Sequence, residues 1–317
     1  MKSLSRTIGS VSVSAFGVLV LAQLFAPNSA FAQSVTGEER TLVTKDGWPL
    51  KINYYQSEMG SDAPVVVLLH SKSSSQLSWG AKSATGGFVR RLVDLKFAVI
   101  ALDFRKHGLS KPMTDEEGEG TKKPKPTNSR ITKVDYQAMI GLDLEAVKKF
   151  IFEEHQAKRL NMRRTAIIAP EMAATMAILY TLIDWQKKPH DDAPTAALRT
   201  PRGQDIQAVV AISPGTIPGI SPNRAYSYLK SQQIAFLVCV GKKDKLDRRQ
   251  ASSMYAKLGG TNKNKPGMFF QEYDVNLRGT DLLGKKIRIE EHILGFLNEA
   301  IKKPDIPWRD RRSKLSR

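Results

Sequence analysis

Thr165-Ala166-Ile167-Ile168-Ala169-Pro170-Glu171-Met172-Ala173-Ala174 passes from β-forming residues, through a turn of small side chains, into a run of helix formers. Residues 165–168 are apolar or β-branched at every position, as in a strand buried on both faces of a sheet. From Met172 to Trp185 the chain is rich in Ala, Met, Leu and Ile, which predicts a helix. A sharp strand-to-helix turn displays one side chain at the top of a sheet, and small neighbours such as Ala169 and Ala173 permit the tight approach it needs. The displayed residue is Glu171, where a serine is expected.

Working outward, residues 65–69, 98–102, 208–212, 234–240 and 268–274 read as further strands, most of them continuously apolar. Helical spacing appears in 88–95, 134–152 and 293–301, and Lys45-Asp46-Gly47 marks a hairpin within 41–55. Residues 112–126 and 187–204 are polar and Pro-containing, and predict exposed loops. Strands alternating with helices predict an α/β fold: a mostly parallel central sheet with helices on both faces. In such sheets chemistry gathers at the carboxyl ends of the strands. Only about 20 residues separate 212 from 234, so any cap over those ends is small or absent.

The chain begins with Lys2 and Arg6, an apolar run over 11–25, and Ala30-Phe31-Ala32. This pattern predicts a secretory signal over 1–32, cleaved before Gln33, and a secreted or periplasmic destination. A retained anchor is disfavoured, because a span needs roughly 20 apolar residues and Ser12, Ser14 and Gln23 interrupt a shorter run. Residues 33–301 then form the folded domain, and 302–317 read as a basic, disordered tail. The single cysteine, Cys239, excludes an intramolecular disulfide and sits in an apolar run as a small buried hydrophobe. A formal charge of +18, with clusters at 122–125 and in the tail, suits acidic partners, but Lys and Arg spread along the whole chain read first as a solvated basic surface. The partner class is a small molecule or an acidic polymer; nucleic acid is disfavoured, the basic tail being the feature that leaves it open.

Several segments together resemble the α/β-hydrolase superfamily. Val65-Val66-Val67-Leu68-Leu69-His70, with Trp79 beyond, resembles that family's strand leading into its oxyanion loop. Ala101-Leu102-Asp103-Phe104-Arg105-Lys106-His107-Gly108-Leu109-Ser110 resembles its D-x-R-G-x-G-x-S segment, with Lys106 in place of the first glycine. Val240-Gly241-Lys242-Lys243-Asp244 resembles the G-x-x-D that supplies the triad acid, and the segment around Arg278 resembles the one that carries the triad histidine.

The resemblance implies a nucleophile at Glu171, a base at Arg278, an acid at Asp244, and oxyanion-loop positions at His70, Ser71 and Met172. Two of these depart from the family's chemistry. A guanidinium stays protonated in proteins and cannot serve as a base, and a carboxylate nucleophile still needs an activated water to resolve its ester. The expectation is therefore a catalytically degenerate triad, with Arg278 pairing the carboxylates of Glu171 and Asp244 in a protein that binds or scaffolds. The alternative is hydrolysis of an ester, amide or related bond through Glu171 or a relocated nucleophile among Ser71, Ser73, Ser74 and Ser75. His155 and His190 fall in charged stretches read as exposed. The sequence carries no metal-ligand spacing, phosphate-binding glycine loop or dinucleotide fingerprint, so no cofactor is implied.

Overall fold

The continuous apolar runs become the middle of one eight-stranded sheet. The computed structural model describes residues 36–80, 87–111 and 130–316; the signal over 1–32, the loop over 112–126 and the basic cluster at 122–125 lie outside the described residues. The strands are β1 (Glu38–Val43), β2 (Pro49–Tyr55), β3 (Val65–Leu68), β4 (Ala98–Leu102), β5 (Thr165–Pro170), β6 (Ile206–Ile212), β7 (Ala235–Gly241) and β8 (Met268–Tyr273). Their order across the sheet is β1-β2-β4-β3-β5-β6-β7-β8. The β1–β2 hairpin is antiparallel and β2 joins β4 antiparallel, while every pairing from β4 through β8 is parallel.

Alternate residues of each central strand feed different cores, as the two-residue period requires. Val65, Val67 and Leu69 join the core under helices α2 (Lys133–Ala138), α3 (Leu144–Gln156), α4 (Met172–Trp185), α5 (Asn223–Leu229) and α6 (Lys245–Lys257). Val66 and Leu68 face the opposite core, under α1 (Gly87–Asp94) and α7 (Ile289–Leu297). Full burial of each such side chain contributes about 1.5–3 kcal/mol, which is why a strand cannot slip by one residue. Between β6 and β7 lies only the short α5, so the carboxyl edge carries little cover among the described residues.

The structure corrects three expectations. The helix expected over 134–152 is divided: a π-helical turn, Met139–Asp143, separates α2 from α3. That turn ends at fully buried Asp143, whose carboxylate accepts from the Arg105 backbone N–H at 3.0 Å and from Arg105 Nε at 2.8 Å. The tail is the second. Trp308 Nε1 donates to the carbonyl of His155 at 2.8 Å, Asn161 Nδ2 to that of Ile306 at 2.8 Å, and Arg311 is buried with an ion pair to Asp205 at 2.8 Å. Residues 303–316 are thus a strap along the amino ends of the strands. His155 is the third: it is fully buried beneath that strap, its ring stacked on Trp308 with centroids 5.0 Å apart.

The Asp103 loop shows why its glycine pattern matters. Asp103 accepts from the backbone N–H groups of Gln76 and Leu109 at 2.8 and 2.9 Å, tying the loops after β3 and β4 together. Gly108 has φ +47°, and a Cβ there would lie 2.1 Å from Asp103 Oδ2. Lys106, in the place of the other glycine, holds φ +64° and pairs with Asp135 at 2.8 Å.

Candidate functional site

β5 ends at Pro170, and Glu171 then takes φ 49°, ψ −126° before α4 begins. That backbone region strongly favours glycine and costs about 1–3 kcal/mol for a residue with a side chain. Neighbouring strand ends hold it: Glu171 N–H donates to the Ile212 carbonyl at 2.8 Å, and the Glu171 carbonyl accepts from Gly215 at 2.9 Å and Ala174 at 3.1 Å. Ala169, Ala173 and Ala174 are fully buried, as such close packing demands. The turn thus has the elbow geometry read from the sequence, with a carboxylate at its apex.

The loop after β8 passes over this carboxylate. Gly279 has φ +52°, and a Cβ on it would lie 2.8 Å from Glu171 Oε1, so the close approach requires glycine. Arg278 precedes it but does not bind Glu171. Its guanidinium is half-exposed and pairs with Asp247 at 3.0 Å. Asp244 does not join that pair either; its carboxylate caps α6, accepting from the N–H groups of Leu246 and Asp247 at 3.0 Å each. The expected Arg278 network with Glu171 and Asp244 is therefore replaced by an Arg278–Asp247 pair beside a capping aspartate. The physical reason is that Asp244 Oδ1 accepts both helix-end donors, while Asp247, three residues on, turns inward.

Asp247 is the residue that sequence reading missed. It is 1 % exposed, and its Oδ2 has no hydrogen-bond partner among the described residues. Burial pushes its carboxyl above the usual range, Arg278 opposes this, and the charges of Asp244 and Glu171 add to the upward push. The available signal was the Asp244-x-x-Asp247 spacing, which places an acid in the first turn of a capped helix. Ser213, the residue after β6, is fully buried with φ 46°, and its Oγ also lacks a partner among the described residues.

His70 and Ser71 lie at the end of β3, and Met172 is the first residue of α4. The His70 ring is held at both nitrogens: Nδ1 donates to the Ser71 carbonyl at 2.8 Å and Nε2 accepts from Phe104 N–H at 3.0 Å. Burial drives its pKa down to about 3, so it remains neutral and positions the loop. His107 bonds to the Arg105 carbonyl through Nδ1, and His292 Nδ1 to the Tyr273 hydroxyl at 2.9 Å. His155 Nε2 donates to the Arg309 carbonyl at 2.8 Å, and His190 lines a hollow at the amino ends of the strands. Among the described residues no imidazole is hydrogen-bonded to Glu171, Asp244 or Asp247. Cys239 is buried and its thiol is pushed up to about 12, the behaviour of a packing residue.

The buried histidines have a consequence in acid. His70, His107 and His155 all have folded pKa values lowered by burial below the unfolded value of about 6.5. Protonation therefore favours the unfolded chain: the stability is full above pH ~6.5 and is lost as pH falls. For His70 the loss continues to about pH 3 and reaches roughly 2 kcal/mol by pH 5. Asp143, Asp205 and Asp247 are shifted up and oppose this as they protonate. Urea titrations at pH 7.5 and pH 5 should show a lower midpoint in acid; equal midpoints would mean that the imidazole loss does not exceed the gain from those carboxyls.

No family model matches the sequence, and no curated protein matches it. Solved structures do. An esterase of Pyrococcus furiosus superposes with a TM-score of 0.54 at 16% identity, over 84% of this chain and 92% of that one. A hypothetical protein of Pseudomonas aeruginosa gives 0.55 at 12% identity, over 84% and 94%. A fungal esterase from Rhizomucor miehei gives 0.51 at 13% identity, over 83% and 82%. With the parallel sheet, the elbow after β5 and the helices on both faces, these likenesses identify the architecture: the chain has the α/β-hydrolase fold.

Proposed function

We propose that this is an exported α/β-hydrolase-fold protein whose elbow site binds a ligand without turning it over. The observation that carries this reading is Glu171 at the elbow apex with no imidazole hydrogen-bonded to it, while Arg278, at the position expected of the base, is engaged by Asp247. General-base activation of a nucleophile or water requires a group that accepts and returns a proton near neutral pH, and a guanidinium does not. What remains is a carboxylate acceptor beside the buried Asp247 and Ser213, a set suited to ligands that offer hydrogen-bond donors.

The retained strain at Glu171 favours a second reading. A turn kept at φ 49°, ψ −126° still presents its side chain as a nucleophile is presented, and a carboxylate can form a covalent ester. One experiment separates the two: hydrolysis of a panel of activated short- and medium-chain esters by the wild-type chain beside Glu171→Gln. The binding reading expects no turnover above buffer in either protein. Turnover present in the wild type and absent in the variant would establish the carboxylate-nucleophile reading instead. Export is read from the first 32 residues, and intact mass of the protein recovered from the producing cells should correspond to a chain starting at Gln33. A full-length mass there would exclude cleavage.

A further inference from the structure

A second built site lies at the opposite end of the sheet from the elbow. The strap of residues 303–316 and the segment before β6 enclose a groove of about 650 Å³ at the amino ends of β5 and β6. Its polar lining is dominated by cations: Arg163, Arg199, Arg309, Arg311 and Lys314, with Asp310 as the acidic member. Much of that acid is already spoken for, since Asp310 pairs with Arg312 at 2.7 Å and Asp191 pairs with Arg199 at 2.7 Å. Among the described residues Arg163 and Arg309 have no carboxylate in an ion pair, and Arg163 Nη1 donates to the Pro307 carbonyl at 2.6 Å.

Arg311 supplies an independent observation. It is 5 % exposed, and it spends one nitrogen, Nη2, on Asp205 and the Gly203 carbonyl, each at 2.8 Å. Its buried Nε has no hydrogen-bond partner among the described residues, and the side chain lines the groove. A buried charged donor left unmatched costs free energy unless something completes it. The crowding is visible at Arg163, whose pKa is lowered by burial and then by the charges of Arg309 and Arg311. Like charges held this close repel one another, and an anion seated between them would relieve the repulsion.

We infer that this groove is a binding site for a phosphate-bearing ligand, held by Arg163, Arg309 and the free edge of Arg311. Two guanidinium groups without carboxylates ask for more than one negative charge, and their planar forks match the oxygens of a phosphate group. The site is separate from the elbow: it uses the amino ends of the strands, which α/β sheets do not commonly use for chemistry. A neighbouring hollow of about 210 Å³ shares Arg311 and adds Lys149 and Arg202, while its Lys187 is already paired with Glu145 at 2.6 Å, so a ligand with several phosphates can extend toward Lys149 and Arg202.

The test is calorimetric titration of the full chain with inorganic pyrophosphate and with long-chain polyphosphate, in buffer free of phosphate and sulfate. It is run beside Glu171→Gln and the double variant Arg163→Ala, Arg309→Ala, with Arg311 left intact to preserve the fold. The expected result is binding by the wild type and by Glu171→Gln, weakened by at least about tenfold per guanidinium in the double variant. Pyrophosphate binding identifies a small ligand; binding of polyphosphate alone, with the same loss in the double variant, identifies a polymer. Equal affinity in wild type and double variant, no binding of either probe, or loss of binding in Glu171→Gln overturns the inference. A matched urea midpoint for the double variant establishes that it is folded.

Discussion

Deleting residues 303–317 should cost about 5 kcal/mol or more, which is comparable to the whole stability of many domains. The truncation removes the Trp308 ring from His155 and strips partners from four buried groups. Asn161 loses the Ile306 carbonyl, the buried His155 ring loses that of Arg309, Asp205 loses Arg311, and Asp192 loses the backbone N–H of Lys314 at 3.0 Å. Buried groups so abandoned carry a desolvation cost that a cleanly deleted surface segment would not. The check is soluble yield and thermal unfolding of the truncated chain, with a midpoint lower by 10 °C or more. A midpoint within a degree of wild type would show that the strap adds nothing to the fold.

The second large effect is expected at Lys148. Its ammonium bridges two buried carboxylates: it contacts Asp184 directly and lies 2.9 Å from Asp205. Asp184 in turn accepts from the N–H groups of Asp205 and Ile206 at 2.8 and 3.2 Å, which fixes the start of β6. Lys148→Ala leaves two carboxylates facing each other with Arg311 as the remaining ion-pair partner of Asp205, and should destabilise by about 3–5 kcal/mol. The pH dependence distinguishes this from simple loss of packing. Asp205 already has its pKa raised, by burial first, with Lys148 and Arg311 opposing. Without Lys148 that carboxyl is raised further, so the variant regains stability as pH falls through the higher value. The wild-type-to-variant gap in urea midpoint should therefore narrow between pH 7 and pH 5; a constant gap would assign the effect to packing.

Much of the sheet was legible because burial on both faces leaves an unbroken apolar signature, as in residues 65–68 and 98–102. The elbow was legible for a different reason: small residues flank a strand end, and only a tight turn needs them there. The helix α5 was not anticipated, being a seven-residue segment with too few turns to establish a period. Asp247 and the strap escaped for a shared reason. Each depends on single buried side chains whose partners are remote in sequence, and periodicity records only local neighbours. Trp308 meets a carbonyl 153 residues earlier, and the charges around it have the composition of a free tail.

The position of that strap also sets the order in which the molecule can be finished. Chains are made from the amino terminus, and early segments begin to fold while later ones are still being synthesised. Here Arg311, which closes the charged cluster of Lys148, Asp184 and Asp205, comes after every strand of the sheet. That cluster at the start of β6 therefore stays open in the nascent protein after all eight strands have been made, and closes only when the strap arrives.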